Sequence, residues 1–117
     1  MMTVYGIKNC NTVKNALTWL DDHGVAYEFH DYKKKGITAD VLKVWSKQVG
    51  WEALLNRKGL TWKQLPEAER TKVRTEADAI KLMMEKTSII KRPLIEKNGK
   101  VVLLGFDEAA YKTALKN

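Results

Sequence analysis

Cysteine is almost missing from this chain: Cys10 is the single one in 117 residues. No disulfide can close within one molecule, which fits a reducing compartment, and any redox cycle must take its second thiol from elsewhere. Histidine is scarce too, and His23 and His30 with one cysteine lack the ligand set and spacing of a zinc site. No metal is expected. A Gly-Lys-Ser/Thr ending for a phosphate loop is absent, and Ala16 stands where a cysteine phosphatase carries its arginine. No apolar run approaches the length that spans a bilayer, and Met2 to Tyr5 is too short for a secretory signal. The expectation is a soluble, cytoplasmic protein without a membrane partner. Repeats, low-complexity segments and linkers are absent as well.

What is present fits one domain spanning 1–117, with a real but modest core. The net charge of +7 and pI near 9.5 favour an anionic partner. Lys33, Lys34 and Lys35 form the only dense basic run, before Gly36, and read as a solvated loop. Nucleic acid is not the expected partner, because acidic residues are scattered throughout. A small oxidised or anionic substrate, or the carboxylates of a thiol cofactor, can use the same potential with fewer contacts.

The hydrophobic pattern predicts a strand over Met2 to Tyr5, then a helix through Val13, Ala16, Leu17 and Leu20 that stops at Gly24. Val25, Tyr27 and Phe29 alternate with polar neighbours as a second strand, completing a βαβ unit for which a right-handed parallel crossover is preferred. Thr38 or Asp40 can start a helix with a stripe of Val41, Leu42, Trp45 and Val49, ended by Gly50. Trp51 to Leu55 is a short apolar segment and Asn56 to Gly59 a polar loop. Pro66 opens a short helix, and Ala77, Ile80, Met83 and Met84 mark another from Thr75 to Lys86. The Trp and Met positions read as core. Asn98-Gly99 between two apolar runs signals a hairpin, and Asp107 caps a last helix through Ala110, Tyr111, Ala114 and Leu115. The order describes a small mixed sheet with helices packed on it.

Cys10 falls between the first strand and the first helix, flanked by Lys8, Asn9, Asn11, Thr12 and Lys14. A lone cysteine is ordinarily a small buried hydrophobe. Polar and cationic neighbours make a poor setting for a core thiol. A helix N-terminus favours the thiolate, through its unpaired N–H groups and the macrodipole. Asn11 and Thr12 can shape the loop or cap the helix; Lys14, one turn on, is either a source of positive potential or an exposed solubilising lysine. His23 reads as a helix C-cap and His30 as a strand end. Arg57 and Arg92 are further cations, and Arg92 precedes Pro93, a pairing that permits either peptide isomer. Spacing alone does not bring Arg92 to Cys10.

The run Tyr5-Gly6-Ile7-Lys8-Asn9-Cys10-Asn11-Thr12-Val13-Lys14, the central Trp51-Glu52-Ala53-Leu54-Leu55-Asn56-Arg57-Lys58-Gly59, and Ile90-Lys91-Arg92-Pro93-Leu94-Ile95 followed by Gly105-Phe106 resemble the ArsC/Spx family, in particular its YffB-type branch. The resemblance implies a thioredoxin-like α/β fold with a mixed four-stranded sheet and an inserted helical segment over about 38–88. It also implies a nucleophilic Cys10 and an Arg92 before a cis-Pro93 that faces the thiol. In the glutathione-dependent arsenate reductases of this family three arginines hold the oxyanion. Here Asn56 falls where one would be, with Arg57 beside it as the substitute, and the last position falls near Gly105, where no cation stands. Losing such charge-assisted contacts costs on the order of 1.5 to 3 kcal/mol each, so efficient arsenate reduction is not expected. The implied activity is a thiol reductase with glutathione as co-substrate. The alternative is an Spx-like regulator binding the RNA polymerase α subunit, without a Cys-x-x-Cys switch because Val13 occupies the second position.

Overall fold

The computed structural model describes residues 2–115. The chain divides into two compact units, Met1–Lys35 with Arg92–Asn117, and Gly36–Lys91. The first opens with strand β1 (Met2–Gly6), followed by helix α1 (Asn11–Asp22), strand β2 (Tyr27–Asp31) and a single helical turn α2 (Tyr32–Lys35). Helix α1 buries Val13, Ala16, Trp19 and Leu20, three and four residues apart on one face. His23 is its C-cap: the ring stacks on Trp19 at 3.8 Å and Nδ1 lies 2.8 Å from the Trp19 carbonyl. Strand β2 begins at Tyr27 rather than Val25, because the Val25 N–H is still held by the Leu20 carbonyl at 2.9 Å. Lys33 to Lys35 are helical, not loop. The Asp31 carboxylate accepts the Lys33 N–H at 2.9 Å and Tyr32 is buried, so the turn is fixed from its first residue.

The second unit is helical: α3 (Ala39–Val49), α4 (Trp51–Leu54), α5 (Leu60–Gln64), α6 (Glu67–Arg70), α7 (Glu76–Glu85) and a 3-10 turn at Thr87–Ile89. Thr38 caps α3 by accepting the Val41 N–H at 3.3 Å, and Thr75 caps α7 in a reciprocal box with Asp78. Pro66 opens α6. The α5 turn had no periodic signal to mark it. On α7 the buried residues are Ala79, Ile80 and Met83, so Ala77 and Met84 face outward instead of joining the stripe. Trp45 is fully buried, whereas Trp51 and Trp62 are half-buried. The Ser46 hydroxyl donates to Glu76 at 2.6 Å, tying α3 to α7. The unit closes on itself where Lys91 N–H donates to the Leu54 carbonyl at 2.7 Å and Leu55 bridges Ile90.

Back in the first unit, β3 (Leu94–Lys97) and β4 (Lys100–Leu104) form the hairpin and α8 (Glu108–Ala114) ends the described chain, capped by Asp107. Asn98 and Gly99 adopt φ of 53° and 80°, the two positive values a tight primed turn needs. The sheet order is β2-β1-β3-β4, with β1 parallel to β2, antiparallel to β3, and β3 antiparallel to β4. This mixed four-stranded sheet is thioredoxin-like. One sheet face supplies Met2, Val4 and Ile95 to a core completed by Ala16, Trp19 and Leu20 of α1 and Tyr111 of α8. Among the described residues, no helix is long and apolar enough to cross a membrane.

Candidate active site

The site forms where β1 hands over to α1. Gly6 ends β1 against the helix: a Cβ there would sit 2.9 Å from Val13 Cγ2, so only glycine lets strand and helix approach this closely. Ile7 is buried and anchors the loop, Lys8 and Asn9 are exposed at its turn, and Cys10 becomes the N-cap residue of α1, half-exposed with extended φ and ψ of −133° and 123°. An N-cap side chain faces the first, unpaired N–H groups of its helix.

Arg92 comes from the far end of the sequence. Because β1 and β3 are antiparallel neighbours, with Tyr5 opposite Leu94, the start of β3 lies beside the end of β1. The Arg92–Pro93 peptide is cis. Pro93 is buried, and its carbonyl accepts the Gly105 N–H at 2.7 Å; the Gly105 carbonyl in turn accepts the buried Tyr111 hydroxyl at 2.9 Å. Residues 93 and 105 are thus clamped to α8. The Arg92 guanidinium reaches the Cys10 sulfur from this support.

Partial burial pushes the Cys10 thiol up, but the Val13 N–H, the hydrogen bond and charge of Arg92, and the Thr12 N–H together outweigh it and leave the pKa below the ordinary cysteine value. The thiol makes no capping hydrogen bond within ordinary limits, yet these N–H dipoles lie near enough to favour the anion. The result is a partly accessible thiol that ionises early, a nucleophile in waiting.

Of the residues singled out from sequence, the fold brings Cys10, Arg92, Pro93 and the backbone of Thr12 together. Asn11 and Thr12 are the first two residues of α1, with exposed side chains. Lys8 and Lys14 are exposed and are not among the groups that depress the Cys10 pKa. Arg57 belongs to the helical unit, where its guanidinium lies 5.6 Å from the Trp51 ring and 5.8 Å from the Trp62 ring. The Val13 N–H was missed: a buried valine carries no sign of backbone chemistry, although its place three residues into the helix marks it as an unpaired donor. Among the described residues no three His, Cys, Asp or Glu side chains gather where they could hold a metal ion.

The ArsC family model matches residues 5–114. The chain is 41% identical over 114 residues to an uncharacterized protein of Haemophilus influenzae, covering 97% of this chain and 98% of that one. A solved YFFB protein superposes with a TM-score of 0.90 at 48% identity, covering 98% of this chain and 99% of the other. An arsenate reductase (ArsC) related protein from Brucella melitensis is also 48% identical, with a TM-score of 0.78 and coverage of 99% and 95%. These likenesses support a thiol reductase-like role.

Proposed function

Because the chain belongs to the ArsC family, we propose that it is a glutathione-dependent thiol reductase acting through the single nucleophile Cys10. The observation that supports this most is the Arg92 guanidinium against a sulfur already favoured as thiolate by the Thr12 and Val13 N–H groups. In the first step the Cys10 thiolate attacks the glutathione sulfur of a mixed disulfide. The substrate–glutathione S–S bond breaks, a Cys10–glutathione disulfide forms, and the substrate leaves as a thiolate that takes a proton from water. A second glutathione, as thiolate, then attacks the glutathione sulfur of that adduct, releasing oxidised glutathione and the Cys10 thiolate. The external thiol is required because no resolving cysteine exists in the chain.

Arg92 stabilises the Cys10 thiolate both as attacking group and as leaving group. Pro93 holds the backbone edge beside it; Asn11 and Thr12 start α1, which presents the Thr12 N–H to the sulfur, while Lys8 and Lys14 add positive potential for an anionic thiol. Arsenate is not the assigned substrate: Asn56 and Gly105 stand where the resemblance implies arginines, and Arg57 is engaged by two indoles. The test is Cys10 alkylation against pH in native and unfolded protein, alongside glutathione-coupled turnover of a mixed disulfide. A native midpoint below the unfolded one, with turnover lost in Cys10→Ser, is the expected result; an unshifted midpoint removes the physical basis for the reading.

A further inference from the structure

We propose that Tyr111 is a positioning residue for the Cys10 and Arg92 pair, acting through the backbone of Gly105 and Pro93; this rests on the reading of Cys10 as the nucleophile. Tyr111 belongs to α8 and is fully buried. Its ring meets that of Trp19 on α1 edge-on, at 5.5 Å and 82°, and that of Phe106 at 4.8 Å and 81°. A phenylalanine would make both contacts. What it would lack is the hydroxyl, which donates to the Gly105 carbonyl at 2.9 Å. Burial pushes this phenol above the ordinary tyrosine range, so it remains a donor throughout the range in which a thiol titrates.

The Gly105 end of that bond leads to the site. Gly105 N–H donates to the Pro93 carbonyl at 2.7 Å, carrying the β3–β4 register one step past the Leu94–Leu104 pair. Arg92 is bonded to Pro93, and its guanidinium reaches the Cys10 sulfur. Gly105 is buried with φ of 86°, a conformation that favours glycine, but a residue without a Cβ is also the one whose backbone is least restrained by itself. The Tyr111 hydroxyl supplies that restraint from outside. At the other side of its ring, Trp19 belongs to the helix whose N-cap is Cys10. Tyr111 therefore touches both supports of the pair: by its ring the helix that carries the sulfur, and by its hydroxyl the backbone that carries the guanidinium.

The experiment is the alkylation midpoint of Cys10, native and unfolded, for the parent chain, Tyr111→Phe, Arg92→Met and the double variant, with chemical denaturation of each. Tyr111→Phe should raise the native midpoint by roughly 0.5 units, about threefold less thiolate at a fixed pH below it, and lower stability through the lost hydrogen bond. Ser46→Ala, which loses a hydrogen bond in the helical unit, should lower stability with the midpoint in place. Added to Arg92→Met, Tyr111→Phe should move the midpoint no further. Gly105→Ala, disfavoured at that φ, loosens the same clamp without touching Tyr111 and should raise the midpoint as well. An unmoved midpoint in Tyr111→Phe or Gly105→Ala, an equal shift in Ser46→Ala, or a shift that persists without Arg92 overturns the proposal. If the parent midpoint is lowered but Tyr111→Phe leaves it there, this inference fails and the thiolate reading stands; an unlowered parent midpoint removes both.

Discussion

Arg92 in the sheet unit and Arg57 in the helical unit are both arginines near motifs that point to anion chemistry, yet their surroundings differ in kind. Arg92 sits at the mouth of β3, next to a buried proline whose carbonyl is clamped by Gly105, and its guanidinium meets a sulfur. Arg57 follows a four-residue helix in a unit of short local turns, and its guanidinium lies over Trp51 and Trp62. The first is held by pairing between strands remote in sequence; the second is held by neighbours a few residues away. Rigid, long-range support leaves a charge aimed at a reactive atom, whereas the local arrangement turns the charge on aromatic faces for about 0.5 to 1 kcal/mol of stability.

Cys10→Ser tests the comparison at its root. Glutathione-coupled turnover should fall by on the order of a thousandfold or more, as removal of a covalent nucleophile does; activity near that of the parent would move the chemistry elsewhere in the molecule. Arg92→Met separates the two arginines. The native alkylation midpoint should rise by about one unit, within the range an adjacent opposite charge produces, while Arg57→Met leaves that midpoint in place and lowers only stability. Equal shifts from both would erase the distinction.

A smaller effect is expected from Gly6→Ala, which forces a Cβ to within 2.9 Å of Val13 in the sheet unit. Strain of about 1 to 3 kcal/mol should appear in chemical denaturation, accompanied by an altered Cys10 midpoint because the strand-to-helix step moves. Its counterpart in the helical unit is Ser46→Ala, which removes the 2.6 Å bond to Glu76. The expected loss is about 1.5 to 3 kcal/mol, as for hydrogen bonds to charged groups, with no change in the Cys10 midpoint.

The smallest effect is in the pH dependence of stability. Cys10 has a lower pKa folded than unfolded, so its contribution is fully present above the unfolded value and is lost as pH falls through the folded one. Denaturation midpoints of the parent should therefore gain on those of Cys10→Ser as pH rises across that window. A constant difference would show that folding does not favour the thiolate.

Local features were readable wherever a residue's role depends on its immediate neighbours. Thr38, Thr75 and Asp107 cap helices because a short oxygen side chain satisfies N–H groups two or three residues on. Asn98-Gly99 makes the turn because both residues tolerate positive φ. The misreadings also have local causes: Lys33 to Lys35 look like loop because they are charged, but Asp31 and Tyr32 fix them as a helical turn. Ala77 and Met84 fit helical spacing, but the face of α7 that packs inward carries Ala79, Ile80 and Met83.

By itself, then, the sequence determined the order of the four strands and the longer helices, the hairpin, the caps at Thr38 and Asp107, and a lone cysteine among polar neighbours at a strand-to-helix step. These follow from side-chain spacing and backbone preference, which act over a few residues. Only the tertiary structure decided that Arg92 meets Cys10. That meeting depends on antiparallel pairing of β1 with β3. Strand pairing joins residues by register, not by distance along the chain, so no local pattern carries it.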